Sequence, residues 1–255
     1  MNSAAAKTAR TNTIGGYIAG AISSSTGMKL VMAITGLALL LFLISHVLAN
    51  LQVFLGYEGL NAYGAFLKGK PELLWTARIG LLVAVGFHIW AAVRLSRINH
   101  AARPQKYVKK NWRTATWYSR YMLVSGGIVF AFIVFHILHF TAGVILPEYF
   151  SFQDPAQRHD VARMMILGFS KPWVVLVYVV SMVFIGFHLA HGVWSALQSL
   201  GLWGARWTPF WLKAGKVVAW AIALGFIAIP LGILAGAVEH HWEGGTEQLR
   251  IERPN

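Results

Sequence analysis

The 255-residue chain is 56% hydrophobic and only 12% charged, with a formal net charge of +13. Its apolar residues form runs too long for the core of a soluble protein, which excludes the soluble globular classes. The chain contains no cysteine. Disulfides, thiolate metal sites, c-type haem attachment and cysteine-ligated iron–sulfur clusters are therefore excluded for this chain.

Five apolar runs follow one another along the chain, and each is long enough to cross the ~30 Å hydrocarbon layer as a helix. Only helices satisfy every backbone group in lipid at this apolarity, and the runs lack the alternating polarity of barrel strands. The sequence predicts an all-α integral membrane fold whose first four transmembrane helices form a bundle and whose fifth flanks it. The predicted spans are residues 28–52, 72–97, 120–146, 172–198 and 211–239.

Charge distribution predicts how these spans are oriented. The N-terminus and the second and fourth connections lie on one side, which collects most of the basic residues and none of the nine acidic ones. The positive-inside rule places that side in the cytoplasm. We therefore expect a cytoplasmic segment at residues 1–27, a membrane domain at 28–239 and an external tail at 240–255. Residues 1–27 lack the apolar stretch of a cleavable signal peptide.

Two short patterns recur inside the first four spans. Gly-Phe-His occurs twice, and so does Thr or Ser followed by Gly, nine further residues and His. The histidines are His88 and His188 in the first pattern and His46 and His136 in the second. Imidazole is costly to hold in a bilayer, so each of these side chains is a functional-site hypothesis.

Helix rise gives the depth of each histidine in the membrane. At about 1.5 Å per residue, His46 and His136 lie toward the outer leaflet, and His88 and His188 toward the inner leaflet. Two depth-matched pairs in a four-helix bundle predict two bis-histidine b-type haems, with these four side chains as iron ligands. Nearby glycines predict either close approach of a macrocycle or ordinary helix packing: Gly36, Gly86, Gly126 and Gly186.

Two further histidines compete for these roles. His139 and His191 follow His136 and His188 at i+3 and lie on similar helical faces. A glycine follows His191, which makes it a serious alternative ligand, but the repeated pattern and the depth match favour His188. His139 and His191 are then candidates for hydrogen bonds to a haem propionate or a quinone, or for packing.

The histidine-bearing stretches resemble the single-chain, five-helix, two-haem cytochrome b anchor of succinate dehydrogenases and fumarate reductases that use a quinone. The matching sequences are TGLALLLFLISHVLANLQ, GFHIWAAVRL, SGGIVFAFIVFHILHF and GFHLAHGVWSALQSLG. The resemblance implies that His46, His88, His136 and His188 are the axial ligands of two haem b groups. It also implies two partner subunits on the cytoplasmic side of a bacterial inner membrane, a flavoprotein carrying FAD and an iron–sulfur protein.

Menaquinone is the quinone that this resemblance implies. Electrons from succinate oxidation on the flavoprotein would pass through the inner pair to the outer pair, and this chain would perform no dicarboxylate chemistry. A quinone needs an apolar slot with one or two hydrogen-bond donors. Ser25 and Lys29 at the inner end of the first helix, with His139 and Tyr149 toward the outside, are candidates for that slot.

Two other functions stay open at this point. The chain could be a di-haem cytochrome b anchor of another oxidoreductase, such as a hydrogenase or formate dehydrogenase. It could also be a transporter or scaffold whose histidines relay protons or pack. The spans contain no interior acid and no broken half-helices, which disfavours transport. Nucleic acid is not an expected partner, because the basic connection is short and tethered to the bilayer at both ends.

Overall fold

The computed structural model describes residue 20, residues 22–102 and residues 120–238. Five helices in this part of the chain are long and apolar enough to span a membrane, which confirms the predicted all-α, multi-pass fold. The helices are α1 (Ser25–Leu51), α2 (Tyr57–Lys68), α3 (Pro71–Ala101), α4 (Met122–His136), α5 (Val161–Phe169), α6 (Pro172–Ser199) and α7 (Thr208–Leu234). A π-helical turn, Ile137–Thr141, continues α4. Most of the predicted N-terminal segment and the entire predicted C-terminal tail lie outside the described residues.

Two predicted spans end earlier than expected, and glycine explains both ends. α7 stops at Leu234 because Gly236 adopts a φ of 75°, which turns the chain out of the helix. The third span ends at Thr141 because Gly143 adopts a φ of 63°. The Phe150 ring packs where a side chain at Gly143 would lie, so only glycine fits this turn.

The membrane helices pack in the order α3, α1, α6, α4, and α7 lies against α6 and α1. The predicted flanking place of the fifth span therefore agrees with the structure. Within the described residues, α3 and α4 at the two ends of this row make no comparably close backbone contact with each other. The same holds for the diagonal partners α1 with α4 and α3 with α6.

Small residues allow the close approach of α7. A Cβ at Gly186 of α6 would lie 2.9 Å from Cζ3 of Trp220, and one at Gly225 of α7 would lie 2.8 Å from Cγ2 of Val47. Both distances are too short for a side chain, so these glycines serve helix packing. For Gly186 the structure thus favours the packing alternative over approach of a macrocycle.

Two short helices that the sequence did not predict, α2 and α5, pack against each other where the first and third spans end. Asn61 of α2 is fully buried and joins them. Its Nδ2 donates to Oδ1 of Asp160 at 2.9 Å and to Oδ2 of Asp154 at 3.4 Å, and its Oδ1 accepts from the Ala162 amide at 3.0 Å. We call α2, α5 and residues 153–160 the cap.

Arg158 ties the cap together through two carboxylates. Its Nε donates to Asp154 at 2.6 Å, and its two terminal nitrogens donate to Glu58 at 2.9 and 2.6 Å. Burial alone would raise the pKa of Asp154, but hydrogen bonds from Arg158 outweigh burial and hold it below its usual 3.8. The hydrogen bond from Arg158 also lowers the pKa of Glu58 below its usual 4.5.

The cap should therefore lose stability in acid. Because both carboxyl pKa values are lower in the folded protein, their contribution is complete above the unfolded values and disappears as the pH falls through the folded ones. We expect the unfolding temperature of the detergent-solubilised protein to hold between about pH 7 and about pH 5 and to drop below about pH 4. Thermal unfolding monitored by tryptophan fluorescence across this pH range measures the effect.

Arg158→Met provides the control for this pH dependence. Without the guanidinium, Asp154 and Glu58 lose the side-chain hydrogen bonds that lower their pKa values most, so their contribution to the pH dependence shrinks. The drop below about pH 4 should then flatten. An equal drop in the wild type and in Arg158→Met would show that other groups cause the acid sensitivity.

Candidate functional site

Four histidines meet in two pairs across the axis of the bundle. The rings of His46 on α1 and His136 at the end of α4 have centroids 5.8 Å apart. The rings of His88 on α3 and His188 on α6 have centroids 6.4 Å apart. Each pair joins diagonal helices whose backbones are not in close contact, and all four side chains are only half-buried. Each pair of imidazoles therefore bridges two diagonal helices of the bundle.

This spacing suits a metal ion between two imidazoles. Two metal–imidazole bonds of about 2 Å, with about 1 Å from each nitrogen to its ring centre, would place the centroids about 6 Å apart. Both observed separations are close to this value. Among the described residues, no three histidine, cysteine or acidic side chains cluster as they would in a many-ligand metal site. Two histidines are enough to complete the coordination of a haem iron, because the macrocycle supplies the remaining ligands.

Thr35 lies beside the Nδ1 atom of His88. Its Oγ1 is 2.7 Å from the carbonyl oxygen of Val31, 3.3 Å from that of Met32 and 3.2 Å from Nδ1 of His88. A hydroxyl has a single hydrogen, and when a carbonyl accepts it the hydroxyl acts as the acceptor toward His88. In that arrangement Nδ1 of His88 carries the proton, and Nε2 keeps the lone pair with which an imidazole can bind a metal.

Ser125 repeats this arrangement on the other half of the bundle. Its Oγ donates to the carbonyl of Met122 at 3.1 Å and lies 3.2 Å from Nδ1 of His188. The same arrangement of hydrogens leaves the lone pair of His188 on Nε2. Both histidines of this pair thus have a hydroxyl beside Nδ1, which suits the tautomer that can coordinate a metal through Nε2.

The glycines of the Thr/Ser-Gly pattern make room for these contacts. A Cβ at Gly36 would lie 3.2 Å from Cε1 of His88, and one at Gly126 would lie 3.4 Å from Cε1 of His188. The imidazoles of His88 and His188 therefore pack directly against the helix backbone at these glycines. Gly86, in contrast, has open space around it. The Thr/Ser-Gly pattern on α1 and α4 thus supports the histidine of the Gly-Phe-His pattern on the neighbouring helix.

In the His46–His136 pair, different side chains contact the imidazoles. Nδ1 of His136 and Nδ1 of His139 both lie 3.1 Å from the hydroxyl of Tyr178. His46 stacks on Phe42 with ring centroids 5.1 Å apart. Nδ2 of Asn50 lies 3.3 Å from Nδ1 of His46 and donates to its backbone carbonyl at 2.7 Å.

The two competing histidines occupy different surroundings. His139 is only 4% exposed and stacks on Phe140 with ring centroids 4.0 Å apart, so it is packed in the interior of the protein beside His136. His191 is half-buried on α6, one turn beyond His188. The ring that meets His88 belongs to His188, which favours His188 as its partner.

The remaining quinone candidates lie apart from the histidine pairs along their helices. Ser25 and Lys29 are exposed in the first two turns of α1, and Lys29 precedes Thr35 by six residues, about 9 Å along the helix. Tyr149 lies in a short 3₁₀ turn, where the ammonium of Lys171 sits 5.9 Å from the centre of its ring. Within the described part of the chain, no contact joins Ser25, Lys29 and Tyr149 into one site.

Sequence reasoning did not assign the side chains that orient the histidines. Thr35 and Ser125 belong to a repeated pattern, so their recurrence was a usable signal, but the direction of their hydrogen bonds was not. Tyr178 carried only a weak signal, its place ten residues before His188 on the same helix. Comparison with protein-family models, curated proteins and solved structures found no match to this chain.

Proposed function

We propose that this chain is the di-haem cytochrome b that anchors a succinate:quinone oxidoreductase in a bacterial inner membrane. In this role it passes electrons between a cytoplasmic flavoprotein and iron–sulfur subunit and the quinone in the bilayer. The orientation with a cytoplasmic N-terminus follows from the charge distribution. The succinate partner and menaquinone follow from the resemblance of the four histidine-bearing stretches.

One observation carries the haem part of this proposal. The hydroxyls of Thr35 and Ser125 each lie within hydrogen-bond distance of a backbone carbonyl and of Nδ1 of a histidine, an arrangement in which both histidines of the His88–His188 pair keep the Nε2 lone pair. The two rings come from diagonal helices and meet with centroids 6.4 Å apart. A packing histidine needs only a hydrogen-bond partner, and its ring does not have to meet a second imidazole. Ligation of a metal is the use that this arrangement suits.

The chain's own residues then have defined tasks. His88 with His188, and His46 with His136, would hold the two irons, and the apolar helices around them would keep water away. A bound haem supplies one-electron transfer. Ligand identity, hydrogen bonds to the ligands and burial are the means by which a protein sets the potential of such a group.

Haem quantification tests the proposal directly. The protein purified in detergent is expected to show a b-type α-band in a dithionite-reduced minus oxidised spectrum. A pyridine haemochrome assay should give two haems per chain. A preparation expressed with ample haem that holds none, or only one, would contradict the two-haem proposal.

Co-purification tests the identity of the partner. A flavoprotein with tightly bound FAD, together with an iron–sulfur protein, is expected to accompany the chain when membranes are solubilised gently. Recovery of a nickel or molybdenum protein in its place would keep the cytochrome function but assign the chain to a hydrogenase or a formate dehydrogenase.

A further inference from the structure

At each histidine pair a hydroxyl lies beside a ring nitrogen of a histidine. The two pairs differ in which group accepts the hydrogen of that hydroxyl. At His88 and His188 a backbone carbonyl accepts it. At His136 the supporting hydroxyl belongs to Tyr178, and the second group within hydrogen-bond distance is Nδ1 of His139. We propose that Tyr178 and His139 form a positioning pair for His136, in which His139 takes the place that the carbonyl has at the other pair.

The surroundings of Tyr178 leave its hydroxyl few alternatives. The side chain is 6% exposed, and its ring packs edge-on against Phe132 and Phe169 with centroids 5.1 and 4.8 Å away. Phe140 lies 5.9 Å from it. In this apolar enclosure the two imidazole nitrogens at 3.1 Å are the polar groups that the structure places beside the hydroxyl. A buried hydroxyl strongly favours keeping such partners.

The phenol of Tyr178 has a single hydrogen to donate, so the tautomers of His136 and His139 depend on each other. If the phenol donates to His139, it accepts from Nδ1–H of His136, and Nε2 of His136 is free to bind a metal. If the phenol donates to His136, Nε2 of His136 carries the hydrogen and cannot bind. His139 thus favours the binding form of His136 by accepting the phenol hydrogen.

In this arrangement, side chains set how strongly the imidazole of His136 donates to a metal. A hydrogen-bond acceptor at Nδ1–H of a ligating histidine makes the imidazole a stronger donor to the metal. At the other pair the hydroxyls are themselves anchored to main-chain carbonyls. At His136 the strength of that acceptor depends on Tyr178 and on its contact with His139.

Replacing Tyr178 by phenylalanine tests the positioning role, which rests on the proposed haem function. Tyr178→Phe removes the hydroxyl and keeps the aromatic packing. We expect two haems per chain, an upward shift in the reduction potential of the His46–His136 haem and no change at the His88–His188 haem. Redox titration followed by optical and electron paramagnetic resonance spectra resolves the two potentials.

Thr35→Val is the matched control, because it removes the corresponding hydroxyl at the other pair and keeps the side-chain shape. In Thr35→Val, only the reduction potential of the His88–His188 haem should shift. If Tyr178→Phe retains two haems with both potentials unchanged, the positioning role is wrong while the haem function stands. If the wild-type protein holds no haem, the proposed function fails and this inference fails with it.

A second pair of variants separates His139 from general packing. In His139→Leu the phenol can donate only to His136, which opposes ligation, so haem should leave the His46–His136 pair roughly tenfold faster. Adding Tyr178→Phe to His139→Leu removes the competing donor and should restore retention toward that of Tyr178→Phe alone. Transfer of haem to an excess of apomyoglobin measures the rate. A double variant that loses haem faster than His139→Leu would overturn the role of His139.

Discussion

His188→Ala is expected to halve the haem content, from two haems per chain to one, whereas His191→Ala should leave it near two. The ring of His188 meets that of His88, and Oγ of Ser125 lies 3.2 Å from its Nδ1. His191 lies one turn further along α6 and is half-buried. Removal of His188 would leave this haem with one of its two imidazole ligands, and we expect the site to lose the haem.

The pyridine haemochrome assay and the reduced minus oxidised spectrum give the readout for this pair of variants. Both replacements remove an imidazole from the same helix, so each serves as the folding control for the other. Loss of one haem in His191→Ala together with retention of both in His188→Ala would reverse the ligand assignment on α6.

Asn61→Ala is expected to lower the free energy of unfolding by about 3 kcal/mol, since hydrogen bonds to charged groups contribute about 1.5–3 kcal/mol each. Asn61 is fully buried and donates to two carboxylates while accepting from a backbone amide. Its removal leaves buried Asp154 and Asp160 each with one partner fewer. Equilibrium unfolding in mixed detergent micelles measures the loss, and limited proteolysis of the cap locates it.

Two further variants show whether hydrogen bonding causes this loss. Asn99→Ala makes the same change at an exposed position on α3 and should have little effect. Asn61→Asp keeps the shape of the side chain but places a third carboxylate beside two others, so it should destabilise at least as much as Asn61→Ala. A stable Asn61→Asp protein would mean that shape, and not donated hydrogen bonds, holds the cap.

The membrane fold could be predicted because five long apolar runs admit little else in lipid. The ends of the spans were less predictable. Nothing local to residue 141 indicates that Gly143 turns the chain under the ring of Phe150, a contact that depends on the following loop. α2 and α5 were missed because they are short and are stabilised by a buried network whose members lie about a hundred residues apart in sequence.

The pairing of the histidines was predicted from the two repeated patterns and from depth, since helix rise converts sequence position into height in the membrane. What depth could not supply was the state of each ring. The tautomer of His88 depends on where the hydroxyl of Thr35, 53 residues away, sends its hydrogen. The role of Tyr178 could not be predicted for a similar reason, because it consists of contacts made by a single hydroxyl across the bundle.

The diagonal pairing of the histidines also has a consequence for biogenesis. The first half of the chain contributes His46 and His88, one member of each pair, and the second half contributes His136 and His188. Neither half can complete a pair by itself. The His46–His136 pair is first complete when α4 has been inserted, and the His88–His188 pair only when α6 has followed it. A nascent chain interrupted between these two helices would contain one complete pair.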